Sequence, residues 1–386
     1  MNTKDAPFHL FNILIAGEDH ESTRKIGSVV EKSSQFRVVS VLPSKIRSVE
    51  GGTKIDAVIL DFSKIASPSW DLINDVRANL GDLPIIVVSD KLDEVQTRRL
   101  IKLQVHDWLL WPIDDANLMT TINSGIRGAR TQLNRVHAVI SGNAGAGASI
   151  IAASMTDLIV SSFLKKSGET AALFDLDFST GNCGYMLNMV NSFQLEKVTE
   201  NPQRIDAEFA NLIQKRLRHG YFVYSFKRPE LLTDDNGYEL VMRMLDAVNV
   251  QHEHTVVDIP YYETEWRNDV LAAVNTCTIV TEGNLPALKH TLDTLQLIKS
   301  LKGEDFAVQI LINKQRRSLF GNRISQRKLV GLFGDTPLAF ISRDDNLIEE
   351  SLDRGILPRE ISSRSRFLKD LTKYVKGLFE KEKTQK

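Results

Sequence analysis

Short apolar runs recur along the chain, with segments of helical periodicity between them. In the first third the strand-like runs are Asn12–Ala16, Phe36–Val41, Ala57–Leu60, Ile85–Val88 and Trp108–Leu110, and Asp114–Arg130 reads as a closing helix. A polar, basic segment, Arg127–Arg135, leads into a new run, Val136–Ile140. Further runs follow at Ala171–Phe174, Tyr221–Phe226, Thr255–Val257, Thr278–Val280, Val308–Ile312 and Leu338–Ile341. Strands that alternate with helices predict parallel sheets. The expected fold class is α/β, in two doubly wound domains, 1–130 and 131–386, the second with a mostly parallel sheet. The segment after the second strand, Pro43–Lys54, is loop-like and contains Gly51-Gly52, so its helix is expected to be short or missing.

The candidate chemistry lies where the second domain's first strand meets its first helix. Ser141-Gly-Asn-Ala-Gly-Ala-Gly-Ala-Ser149 follows a buried strand and opens a helix, the setting of a G-x-x-x-x-G-K-[ST] phosphate loop. Gly142 and Gly147 hold the two glycine positions, and Ser149 holds the hydroxyl that would ligate magnesium. Ala148 stands where a lysine would reach the outer phosphates. The amides of Gly142, Asn143, Ala144, Gly145, Ala146, Gly147, Ala148, Ser149 and Ile150, with the helix N-terminus, attract phosphate without that side chain. Binding is thus expected to outlast catalysis. The competing reading is a retired loop on a sheet that only scaffolds.

Three more motifs follow in order, each at a strand end. Ala172-Leu-Phe-Asp175-Leu-Asp177 runs into a Gly181-Asn182 turn, His254-Thr-Val-Val-Asp258-Ile-Pro260 ends in an aspartate, and Gln309-Ile-Leu-Ile-Asn313 ends in an asparagine. With the loop they resemble the MinD/ParA family of P-loop ATPases over about residues 135–360. The resemblance implies ATP and Mg2+ as cofactors. It makes Asp177 the water-orienting catalytic aspartate, Ser149 and Asp258 the magnesium residues, and Asn313 the adenine contact. The family's second loop lysine, which reaches a dimer partner's nucleotide, corresponds to Asn143. Charge stabilisation dominates phosphoryl transfer, so losing both ammonium groups points to weak or absent hydrolysis.

The first domain carries Glu18-Asp19 after its first strand, Asp61 at the end of Asp56-Ala-Val-Ile-Leu-Asp61, and Ser89 after Pro84-Ile-Ile-Val-Val-Ser89. This resembles the receiver domains of two-component signalling, with a flavodoxin-like fold, over about residues 10–130. The resemblance makes Glu18, Asp19, Asp61 and Ser89 a phosphoacceptor pocket. The lysine that would complete it is replaced by Trp111-Pro112. Carboxylates at strand ends are common in this fold, and the domain is expected to serve docking rather than phosphotransfer. A degenerate receiver joined to a lysine-less MinD/ParA domain resembles the TadZ/CpaE family of tight-adherence (Flp) pilus assembly proteins. That likeness extends to Val257-Asp258-Ile-Pro260, Trp266, Leu271–Val274 and Ile279–Pro286. It implies a homodimeric hub at the cell pole that recruits the pilus secretion ATPase and inner-membrane components. The rival readings are an active ATPase switch that positions a cell-surface machine, a response regulator with an ATPase-like output domain, and a DNA-binding partition protein.

Composition narrows this only a little. Hydrophobic residues make up 42% and the net charge is -1, so no global field points to nucleic acid or membrane. Cys183 and Cys277 are unrelated in context, which fits a reducing compartment, and a cytoplasmic location is expected. Lys314, Arg316, Arg317, Arg323, Arg327 and Lys328 form a basic stretch without acids, read as a solvated face rather than a DNA groove. Specific DNA binding is not expected. The segment Ser365–Lys383 repeats apolar residues from Phe367 to Phe379 among lysines. Peripheral membrane association and a last helix packed on the sheet both fit it, and the packed helix is the reading adopted. His252 and His254 are expected to be surface or strand-edge residues.

Overall fold

A computed structural model describes residues 10–18, 20–48, 54–63, 70–165, 169–178, 181–189, 191, 193, 195–199, 201–226, 235–316 and 326–384. The chain divides into two compact units, Met1–Leu133 and Asn134–Lys386.

The first unit is built on β1 (Phe11–Ala16), β2 (Phe36–Val41), β3 (Ala57–Asp61), β4 (Ile85–Ser89) and β5 (Asp107–Leu110). Every pairing is parallel and the order is β2-β1-β3-β4-β5, the flavodoxin-like arrangement. β3 and β4 are buried at every position, as central strands covered on both faces must be. A short, tight helix, Pro43–Ser48, follows β2. The closing helix, Asp115–Leu133, is pinned by Arg130, whose Nη2 donates to Asp56 Oδ1 at 2.8 Å. Its guanidinium also lies 4.5 Å from the Phe11 ring centre. Both charges of that pair are buried.

The second unit contains β6 (Arg135–Ser141), β7 (Ala171–Asp175), β8 (Lys215–Arg216), β9 (Phe222–Tyr224), β10 (His254–Ile259), β11 (Thr276–Glu282), β12 (Val308–Gln315) and β13 (Leu338–Ser342). Their order is β13-β12-β11-β6-β10-β7-β9-β8, parallel except for the antiparallel β8–β9 edge. The first strand, β6, lies mid-sheet between β10 and β11, so the chain's path reverses there. Such a reversal opens a crevice at the carboxyl ends of the strands.

Alternate residues of β6 serve opposite layers, because successive side chains leave opposite faces. Val136, Ala138 and Ile140 join one core, and Val139 joins the other. The second core is capped by two helices, Ala148–Leu158 and Arg366–Thr384. The first of these is rich in small residues and buried along nearly its whole length. It runs on through a wider turn, Ile159–Leu164. Its Asp157 is held by Arg359 through two contacts, one of them Nη2 to Oδ1 at 2.7 Å. The second buries Phe367, Leu368, Leu371, Val375 and Leu378 against the sheet and leaves Lys369, Lys373 and Lys376 exposed. Its apolar face is therefore occupied by the protein's own core. No described helix is long and apolar enough to cross a membrane.

The structure corrects the placement of the histidines. His252 and His254 are buried, not surface residues. β10 begins at His254, one residue before the apolar run suggested, and the ring stacks on His137 with centroids 5.5 Å apart. Phe379 of the last helix lies over both rings and against Phe163. His252 is fixed by the Tyr224 hydroxyl at 2.8 Å and by Thr170. Burial, then the charges of His254 and Arg135, depress the His137 pKa to about 3. This group stays neutral inside the fold.

Removing the side chain at Leu371, which has no exposure, is expected to cost the second unit about 2–5 kcal/mol. Lys373→Ala on the exposed side of the same helix should change stability by less than about 0.5 kcal/mol. Urea titrations of the two variants test the difference.

Candidate functional site

The crevice above β6 holds a cavity of about 440 Å3. Its floor is the phosphate-type loop. Gly142 N–H donates to Val280 O at 2.8 Å, and a Cβ on Gly142 would sit 2.3 Å from Thr291 Oγ1, so only glycine fits. Gly145 and Gly147 have φ of +75° and +92°, the left-handed region that glycine enters without strain. The helix then starts at Ala148, with no acid in its first turn to oppose an anion.

Of the residues singled out in the sequence, Gly145, Gly147, Ala148, Ser149, Ile150, Asp177, Asp258 and Asn313 line this cavity together. Gly142, Asn143, Ala144 and Ala146 belong to the loop but do not line it. Asn143 Nδ2 donates back to Ala144 O at 3.0 Å, and Ala146 is buried in the core. Asn313 Nδ2 donates to Ala146 O at 2.9 Å and braces the loop from β12. The next residue, Lys314, donates from Nζ to Gly145 O at 2.6 Å and to Glu282 Oε1 at 2.7 Å.

The opposite wall is acidic. Asp175 and Asp258 are register partners on the adjacent strands β7 and β10, and both are buried. Asp175 accepts from Ser225 Oγ at 2.9 Å and from the N–H groups of Cys183 and Asp177 at 3.1 Å. Asp258 accepts from the Cys183 thiol at 3.4 Å, and the nearby Ser149 hydroxyl favours its charged form. Burial, then the Asp258 charge, pushes the Asp175 pKa up to about 7. Burial is also the main cause for Asp258, raised to about 6. Asp177 projects further out, and Tyr262 OH donates to its Oδ1 at 2.6 Å.

Asp175, Cys183 and Asp258 bring ligand atoms within 4.8 Å of one another. The thiol pKa lies well above its usual value, through burial and then the two carboxylates, so Cys183 stays protonated. That leaves hard oxygen donors, the carboxylates of Asp175 and Asp258 with the Ser149 hydroxyl nearby, which suit Mg2+ better than a soft metal. A divalent cation there would also relieve the crowding of carboxylates.

Sequence reading passed over several residues at this site. Asp175 was visible as the first of two alternating aspartates, but its burial was not. Cys183 and Arg343 gave no spacing signal, and Lys314 was visible only as the first residue of the basic stretch, read as a solvated face near the nucleotide or a partner's acidic patch. The apolar side wall of Met186, Ile348, Leu352 and Phe367 comes from helices distant in sequence.

In the first unit Asp61 and Ser89 are buried at the ends of β3 and β4. Asp61 Oδ2 accepts from Ser22 Oγ at 2.7 Å and Thr23 Oγ1 at 2.6 Å, and Oδ1 accepts from Ser63 N–H at 3.0 Å and Ser63 Oγ at 2.5 Å. Ser89 Oγ turns to Asp90 O instead. The Glu18 side chain is exposed and 3.2 Å from His20. Asp19 lies outside the described residues, as do Gly51, Gly52, Arg317 and Arg323. Thr23 Oγ1 also lies 2.6 Å from Glu18 O, so its one proton serves either acceptor.

No family model matches the chain, and no curated protein matches it in sequence. Solved structures do. A ParA family ATPase from Chlorobium tepidum is 18% identical, covers 63% of this chain and 97% of its own, and superposes with a TM-score of 0.53. MinD from Pyrococcus furiosus is 16% identical over 64% of this chain and 99% of its own, TM-score 0.51. The septum site-determining protein MinD of Pyrococcus horikoshii, solved with Mg-ADP, is 15% identical over 64% of this chain and 96% of its own, TM-score 0.50. What they share with this chain is the fold: the second unit is built as ParA/MinD ATPases are.

Two expected outcomes follow from the geometry. An acid whose pKa is raised by folding keeps a proton that the unfolded chain has released, so its stabilising share is complete below the unfolded value and falls as pH rises. For Asp175 and Asp258 that window runs from 3.8 to about 7. Asp258→Asn should therefore raise the metal-free melting temperature at pH 8 by roughly 2–8 °C, for about 1–3 kcal/mol, and leave it near wild type at pH 4. Acetyl phosphate with Mg2+ should add no phosphoryl mass at Asp61, as intact-mass spectrometry would read directly.

Proposed function

We propose that this chain is an ATP-binding hub of tight-adherence pilus assembly, acting as a homodimer in the cytoplasm at a cell pole and turning nucleotide over slowly or not at all. The observation that carries the nucleotide half is the loop itself. It keeps its left-handed glycines, an acid-free helix start and a Ser149–Asp258 pair although both lysines are gone. Ser149 and Asp258 would hold Mg2+, which when bound supplies charge to the phosphates. The amides at Gly145–Ile150 would orient them, and Asn313 braces the loop. The apolar wall of Met186, Ile348 and Leu352 suits a base and excludes water from it.

The pilus half is supported by the TadZ/CpaE-like motifs and by a flavodoxin-like unit whose central carboxylate is locked. Recruitment of a secretion ATPase and of inner-membrane components belongs to that half of the proposal. Bound ATP would stabilise the hub by mass action, which needs no hydrolysis. In such a hub Asp177, held by Tyr262, is a docked side chain rather than a working base.

Calorimetric titration of the full chain with ATP and Mg2+, repeated with Asp258→Ala, tests the nucleotide half. Saturable binding that the substitution weakens about tenfold or more is the expected result for loss of a charge-assisted metal contact. A flat titration at millimolar ATP would leave a scaffold on a retired fold.

A further inference from the structure

The cavity has an electrostatic problem. Asp175, Asp177 and Asp258 all line it, and a nucleoside triphosphate would bring still more negative charge. Ala148 and Asn143 supply no cation. Among the described residues, the basic groups lining the cavity are Lys314 and Arg343. Arg343 points to a neighbour on its own segment, with Nε 2.6 Å from both carboxylate oxygens of Asp345. Lys314 is paired too, with Glu282 Oε1 at 2.7 Å, but it also touches the phosphate-type loop. Its ammonium sits on the loop itself, at Gly145 O.

We propose that Lys314 holds the outermost phosphate of the bound nucleotide, in place of the lysines missing from the loop; this rests on the nucleotide-binding reading above. Two features beyond charge support it. Lys314 has φ of +55°, a left-handed backbone uncommon for a residue with a side chain, at the point where the β12–β13 register shifts. Departures of this kind gather at ligand clamps. Together with Asn313, that backbone lets two consecutive residues of one strand end grip two consecutive loop carbonyls, Ala146 O and Gly145 O. The position of the ammonium is thereby fixed relative to the phosphate cradle before any ligand arrives.

The second feature is donor capacity. An ammonium has three donors. Gly145 O takes one and Glu282 takes another. The third is left for an anion in the cavity that Lys314 lines. Glu282, at the end of β11, then competes with phosphate for the same cation and lowers affinity. The two residues should thus have opposite effects, which a loop staple alone would not produce.

The test is titration of the full chain with Mg-ATP and with Mg-ADP for wild type, Lys314→Asn, Lys314→Arg and Glu282→Gln. Asparagine tolerates the left-handed backbone, and a melting curve for each variant confirms folding. Lys314→Asn should weaken ATP about tenfold or more and ADP by less than about threefold, as loss of a charge-assisted contact to the terminal phosphate requires. Lys314→Arg should restore part of the preference, and Glu282→Gln should tighten ATP. Unchanged ATP affinity in Lys314→Asn, or equal losses for ATP and ADP, overturns the proposal while leaving nucleotide binding intact. A wild type that binds neither nucleotide overturns the nucleotide reading and this one with it.

Discussion

Two carboxylates share one buried strand end. Asp175 and Asp258 face each other across β7 and β10, and the surroundings of the site answer that crowding. Ser225, two backbone N–H groups and the Cys183 thiol donate into the pair. These donors are enough to bury the acids but not to keep them comfortably ionised, which is why both hold protons to unusually high pH. A protein core that only needed packing would have placed apolar residues there. The pair is a standing demand for a cation, and it sits beside the hydroxyl that a metal-bound phosphate would use.

The first unit offers the contrast. Asp61 also ends a central parallel strand and is also buried. Its oxygens are met by hydroxyls and an N–H from Ser22, Thr23 and Ser63. Placed alike in their sheets, the two strand-end sites differ in their surroundings: Asp61 is met by hydroxyl and N–H donors, whereas burial holds the Asp175–Asp258 pair toward its protonated forms. Fold alone would not have separated them.

Much of the fold was legible from periodicity, because buried parallel strands read as unbroken apolar runs bounded by turns. The strands of β1, β2, β6 and β13 fall within a residue or two of their apolar runs. The two-residue edge strand β8 was invisible, since Lys215-Arg216 carries no apolar pattern. The histidines were misplaced for a related reason. Polar residues at a strand start look exposed until a distant helix is known to cover them, and Phe379 lies far along the chain. At the site, glycine spacing located the loop, and strand-end position located Asp177, Asp258 and Asn313. Lys314 could not be found that way. Its role depends on a left-handed backbone and a register shift, and neither leaves a mark in composition.

The last helix has a consequence for how the protein is made. Val139, Val256, Val280 and Leu311 line a sheet face that is closed by residues between Phe367 and Leu378. During synthesis that face is complete in strands but covered only by the Ala148–Leu158 helix until the later one has left the ribosome. The nascent chain therefore passes through a stage with an apolar sheet surface open to misassociation, and chaperone demand should peak there rather than while the first unit emerges. The order of the strands places the phosphate loop early in the unit. The helix that closes the face beneath it follows every strand of that sheet.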